Sequence, residues 1–199
     1  MENIKEKASI EFIVKELEQL SNHIKNYSKG AYSAYYLQLN SALKIQDIVK
    51  MMLNDVYWYD EGYIKVKTEF TFNDMTIYLD EPSRKELAWY AFQRIPVRNT
   101  RKEVLNDYLC VNKQGKMLNN QVYRKMLERS SKELNLSRVY NPGYLRSLYG
   151  YLKIAHGVET VEAVAKEYGV DKYYLLSRTF RGLKIQYAED VFNAVAGII

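Results

Sequence analysis

Residues 141–151 read Asn-Pro-Gly-Tyr-Leu-Arg-Ser-Leu-Tyr-Gly-Tyr. They open a helix expected over 142–155, with Arg146 as the first charged residue of the stretch. Tyr144, Tyr149 and Tyr151 read as core or half-buried packing rather than as base contacts. Downstream the pattern stays helical, over roughly 158–168, 172–180 and 187–198. Upstream lies another helix, about 118–134. Before it Tyr108-Leu-Cys-Val111 reads as an extended piece closed by Lys-Gln-Gly115, preceded by a basic loop over 97–106 with Arg98, Arg101 and Lys102. Pro82 opens a helix at its first turn, where its missing N–H costs nothing, and that helix stops before Pro96. Tyr63–Lys67 and Met75–Leu79 read as two short strands joined through a turn at Asn73-Asp74. The first third is helical. Ser9 caps an amphipathic helix over 9–28, with Ile10, Ile13, Val14, Leu17, Leu20 and Ile24 on one face; Gly30 punctuates, and helices over 31–42 and 45–53 follow. Helices, a small hairpin or sheet, then helices make an α+β domain that is mainly helical. Residues 1–8 read as an N-terminal arm.

The bulk properties exclude more than they assign. At 199 residues the chain can bury one sizeable core. It has no run of 18 apolar residues and no apolar leader, so no membrane partner is expected. One cysteine, Cys110, rules out an internal disulfide framework and suits a reducing cytoplasm. With His23 and His156 as the only histidines, no metal or other cofactor is expected. The net charge of +5 and pI near 9.0 are compatible with a polyanion but are shared by many unrelated proteins. The 19 tyrosines accompany abundant Lys, Asn and Ile, a composition expected of an AT-rich genome.

Residues 10–180 carry a succession of short motifs. Ala42-Leu-Lys44-Ile-Gln-Asp-Ile-Val49 is similar to a Gly-Leu-Arg-x-Ser-Glu/Asp box, and Leu53-Asn-Asp-Val56 to the L-x-x-x-D-V tail that follows it. The 62–79 hairpin stands where a lysine-bearing hairpin belongs. Tyr108–Leu118 is similar to L-F-x-x-x-x-G-x-x-L, residues 141–151 to H-x-L-R-H-T-F-A-T, and Tyr168-Gly-Val170 to L-G-H. In this order the motifs resemble the catalytic domain of the tyrosine recombinases, the phage-integrase family, here as a degenerate member.

The resemblance implies two arginines and further donors that clamp the scissile phosphate while a tyrosine hydroxyl attacks it. Arg146 matches the second arginine, whose planar fork suits two phosphate oxygens. Lys44 stands where the first belongs, keeping the charge but not the fork. Gly143 and Val170 replace expected donors. The nucleophile belongs near 178–180, where the chain has Arg178, Thr179 and Phe180. Tyr173 and Tyr174 come early and Tyr187 late; each is a candidate displaced nucleophile only if the loop is rearranged. Lys67 or, equally, Lys65 takes the hairpin lysine's place. The bland alternatives are that Arg146 is an ordinary salt-bridge or surface arginine and that Lys44 is a solvated lysine.

Val161–Phe180 also reads as a helix-turn-helix, with Gly169 in the turn, Ala165, Val170, Leu175 and Leu176 in the core, and Lys172, Tyr173, Tyr174 and Arg178 toward a groove. A terminal apolar helix over 185–199 covers its own core or supports a homodimer or higher oligomer. The domain proper is expected over 9–184. The resemblance therefore implies a protein that binds double-stranded DNA through Lys44, Lys67, Arg98, Arg101, Lys102, Arg146, Lys172 and Arg178, cuts poorly or not at all, and regulates transcription or assists a phage or mobile element. The chain is expected to lack the family's second, core-binding half of a C-shaped clamp. The alternatives are an active single-domain recombinase with a displaced tyrosine, and a protein–protein adaptor on the same fold.

Overall fold

The computed structural model describes residues 10–95, 102–181 and 183. The expected arm at 1–8, the Ser9 cap, Pro96, Arg98, Arg101, Tyr187 and the helix over 185–199 lie outside them. Helix α1 (Ile10–Tyr27) buries Ile13, Leu17, Leu20 and Ile24, while Val14 falls outside the stripe and is exposed. Helix α2 (Lys29–Leu39) begins at Ser28, whose hydroxyl accepts from the Ala31 N–H. Gly30 therefore does not punctuate; it sits inside a helix. The reason is a close approach: a Cβ built there would lie 1.8 Å from the carbonyl oxygen of Val111.

The helix expected over 45–53 is instead two short ones, α3 (Ile45–Ile48) and α4 (Leu53–Val56). Competing hydrogen bonds explain the break. Leu53 N–H donates to the Asp107 carbonyl, Leu109 N–H donates to Met51, and the Asp55 carboxylate takes the Met52 N–H. A ribbon near Tyr108–Leu118 thus crosses the 51–53 break, bridging Met52 to Tyr108.

The β structure corrects the expected pairing. Strand β1 (Tyr57–Asp60) pairs antiparallel with β2 (Tyr63–Val66), and β3 (Glu69–Phe72) with β4 (Met75–Tyr78). Asn73-Asp74 is a turn as expected, but within the second hairpin only. Glu61-Gly62 makes the other turn, and all four turn residues have positive φ, the geometry that matches strand twist in two-residue hairpins.

Four further helices follow: α5 (Glu81–Arg94), capped by Asp80 with Pro82 in its first turn; α6 (Asn120–Glu133); α7 (Pro142–Ala155); and α8 (Val161–Glu167). Lys102–Asn106 is a 3-10 turn. The last helical run among the described residues starts as α9 (Lys172–Tyr174) and widens into a π segment over Leu175–Thr179. One core joins these elements. Tyrosines serve it as large apolar bodies with a satisfied tip: Tyr35 donates to Leu17, Tyr57 to Leu87 and Tyr90 to Leu109 carbonyls. Cys110 is buried in the same core, and that burial pushes its thiol up to about 12, so it stays a neutral packing group.

Candidate nucleic-acid interface

Polar contacts fix the start of α7. The Asn141 side chain caps it by accepting from Tyr144 N–H. The buried Gln38 amide donates to the Pro142 carbonyl at 3.1 Å and accepts from Tyr123 at 3.0 Å. Just upstream the buried Glu16 carboxylate accepts from the Ser137 amide and hydroxyl and from the Tyr140 hydroxyl. Three donors on one carboxylate hold this segment firmly. One turn into α7 stands Arg146.

Arg146 is half-buried. Its Nε donates to the Ala42 carbonyl, which leads into the turn carrying Lys44. Its guanidinium stacks 4.3 Å from the centre of the Tyr168 ring. Tyr168 in turn donates to the Arg146 carbonyl and accepts the Gly150 N–H at 3.0 Å. Burial pulls Arg146 below the usual guanidinium range, while Tyr168, Asp47, Glu167 and Tyr174 support the charge. The charge itself survives, since arginine does not deprotonate in proteins. Among the described residues, neither terminal nitrogen of Arg146 has a hydrogen-bond or ion-pair partner. The result is an anchored fork with its two outer donors unengaged.

The other expected site residues divide sharply. Lys44 is exposed at the start of α3 and unpaired among the described residues. Arg178 is likewise exposed and unpaired. Ser147, next to Arg146, donates to the Thr179 carbonyl at 2.8 Å, so the 178–180 segment returns to α7 at the site. These three elements come together. The hairpin lysines are already engaged: Lys67 Nζ donates to the Asn54 and Asp55 carbonyls at 2.7 and 3.0 Å, and Lys65 pairs with Asp60 beside Trp58. Lys172 pairs with Glu162 at 2.7 Å. The backbone of Lys102 lies in the 3-10 turn, and its side chain is outside the described residues. Gly143 is exposed on the first turn of α7, and Val170 packs partly against the core. Tyr173 is 79% exposed and Tyr174 50% exposed.

The helix-turn-helix pattern has its expected turn at Gly169, with φ +65°. Ala165 and Leu175 are buried, with Val170 and Leu176 partly so. The second helix, however, changes to π geometry over most of its length.

Sequence reasoning missed Tyr168 as the platform for Arg146. The signal was Gly150 in the middle of a helix. A Cβ there would lie 2.8 Å from the Tyr168 hydroxyl oxygen and 2.9 Å from Val164 Cγ1. Gly150→Ala is therefore expected to displace Tyr168 and to cost about 1–3 kcal/mol, as overpacking does, read by thermal melting.

No family model matches the chain, and no curated protein matches it. Among solved structures, the crystal structure of XerA recombinase superposes with a TM-score of 0.64 at 14% identity, covering 81% of this chain and 55% of that one. The chain thus spans little more than half the length of that structure. At this identity the likeness is one of fold: mainly helical, with two small antiparallel hairpins, arranged as in a recombinase.

Proposed function

We propose that this chain binds duplex DNA on a tyrosine-recombinase-type fold from which the cutting constellation has been lost. The observation that carries this reading is Arg146: half-buried, fixed through Nε and a ring stack, and left with two outer donors in a planar fork. A half-buried guanidinium held in this way, with its terminal donors unpaired, is set to receive an anion. A DNA phosphate fits a bidentate fork. Lys44 and Arg178 add unpaired positive charge on neighbouring segments. Lys67, Lys65 and Lys172, satisfied internally, contribute less.

Loss of cutting rests on the residues around that fork. Lys44 offers a point charge in place of a second fork, Gly143 offers no side-chain donor, and Val170 is apolar. The segment tied to Ser147 presents Arg178, Thr179 and Phe180 rather than a tyrosine. Groups that act together in stabilising an oxyanion are not replaced singly without large losses. The protein then serves as a regulator or accessory factor of a phage or mobile element, with the 185–199 segment a candidate for self-association.

A second reading keeps cleavage alive through Tyr174, 50% exposed on the helical run that returns to α7 at Ser147. A suicide substrate, a nicked duplex that traps the covalent intermediate, separates the two. The expected result is salt-dependent DNA binding with no covalent adduct. An adduct that disappears in Tyr174→Phe would establish the second reading. Absence of any DNA affinity at low salt would favour an adaptor instead.

A further inference from the structure

Helices α7 and α8 meet along one stripe. Arg146, Tyr149, Gly150 and Lys153 stand at i, i+3, i+4 and i+7 and so share a face of α7. Against it lie two consecutive residues from the end of α8, Glu167 and Tyr168. Tyr168 takes the Arg146 end of the stripe. Glu167 is held at the other end by two donors. The Tyr149 hydroxyl donates to one carboxylate oxygen at 2.6 Å, and Lys153 Nζ donates to the other at 3.0 Å. Lys153 is also 3.3 Å from the Tyr149 hydroxyl and 3.8 Å from Glu159. The Lys153 and Glu167 side chains are 24% and 22% exposed, so the trio is largely shielded from water.

A carboxylate adjacent in sequence to the ring beneath Arg146 is a ready competitor for the guanidinium. Carboxylate and phosphate use the same fork, and their attraction to it is strengthened where water is partly excluded. Asp47, from α3, is the other acid acting on Arg146. Neither acid forms an ion pair with Arg146. Both Glu167 oxygens are engaged instead by Tyr149 and Lys153.

We propose that Tyr149 and Lys153 are positioning residues that hold Glu167 away from Arg146 and so keep the guanidinium open to a DNA phosphate. This rests on the reading of Arg146 given above. Without the two donors, Glu167 closes onto Arg146 and occupies the fork from within. DNA affinity then falls although no phosphate-contacting group has been changed.

The test is fluorescence anisotropy on a labelled duplex over a range of salt, with melting curves for each variant. Tyr149→Phe/Lys153→Met is expected to bind about tenfold more weakly, with the slope of log affinity against log salt reduced by about one. Adding Glu167→Gln to that variant is expected to restore both affinity and slope, because the competing charge is gone. The rescue discriminates among causes, since Lys153 remains absent and general damage to the helix pair would persist. If the double variant melts below the assay temperature, Tyr149→Phe alone is read the same way, with a loss of about threefold. Wild-type affinity in the clamp variants, beside weakened binding in Arg146→Ala, would overturn the clamp and leave Arg146 as the phosphate group. Weak binding that Glu167→Gln does not rescue would overturn the clamp as well. Equal affinity and slope in wild type and Arg146→Ala would overturn the reading on which it rests.

Discussion

Arg146→Ala is expected to weaken binding to duplex DNA by about ten- to a hundredfold and to lower the salt slope by about one. A hydrogen bond to a charged group contributes roughly 1.5–3 kcal/mol, and 1.4 kcal/mol is tenfold in affinity. Release of one phosphate contact changes the slope by about 0.9 in B-DNA. The loss is expected to be nearly uniform across sequences, because a phosphate contact positions the duplex without reading it. Arg146→Lys is expected to recover little. An ammonium has no second coplanar donor, and it cannot both bond the Ala42 carbonyl and present a fork to an anion. Anisotropy titrations at several salt concentrations measure all of this, and circular dichroism checks that the variants remain folded. An unchanged slope in Arg146→Ala would remove this residue from the interface.

The largest expected effect on stability is at Gly30. The Val111 carbonyl oxygen would lie 1.8 Å from an added Cβ, with Val111 C and N both at 2.8 Å. The obstacle is backbone on both sides, so no rotamer change relieves it. Either α2 shifts away from the ribbon or the ribbon lifts from the 51–53 break that it fills with hydrogen bonds. Overpacking of this kind costs about 3 kcal/mol or more. For a chain of this size that lowers the melting temperature by roughly 10 °C. Gly143→Ala is the matched control. That glycine is exposed, its nearest new contact is Asn141 Oδ1 at 3.4 Å, and the change is expected to stay within about 0.5 kcal/mol of wild type. Equal melting of the two variants would contradict the close approach at Gly30.

Much of the architecture was readable because its signals are local. The 142–155 helix has a proline in its first turn and keeps one period throughout. Pro82 marks the start of α5, and Asn73-Asp74 supplies two residues that tolerate positive φ. What escaped reading depends on partners distant in sequence. Gly30 looks like a helix breaker until Val111 is seen above it. Residues 45–53 keep a helical period, yet the 107–109 ribbon takes the hydrogen bonds that would have continued the helix. The Glu61-Gly62 turn carries a weaker signal, because strand Tyr57–Asp60 is wholly made of aromatic and acidic residues with no apolar alternation. At the site, Arg146 could be singled out from its motif, but the lack of a partner for its terminal nitrogens could not. That depends on Tyr168 and on where Glu167 is tied, both of which are set by how α8 lies on α7. The lysines show the converse: as sequence, Lys67, Lys65 and Lys172 are indistinguishable from Lys44, yet only Lys44 is unpaired.

The contact between Gly150 and Tyr168 also bears on how such a chain can change over generations. The tyrosine hydroxyl occupies space that any side chain at 150 would need, and it accepts the amide hydrogen of that residue. A change at either position disturbs the other. A methyl group gained at 150 becomes acceptable only beside a smaller residue at 168, and that second change removes the ring on which Arg146 rests. The two positions are therefore expected to change together, since keeping the ring beneath Arg146 favours keeping the glycine that makes room for it.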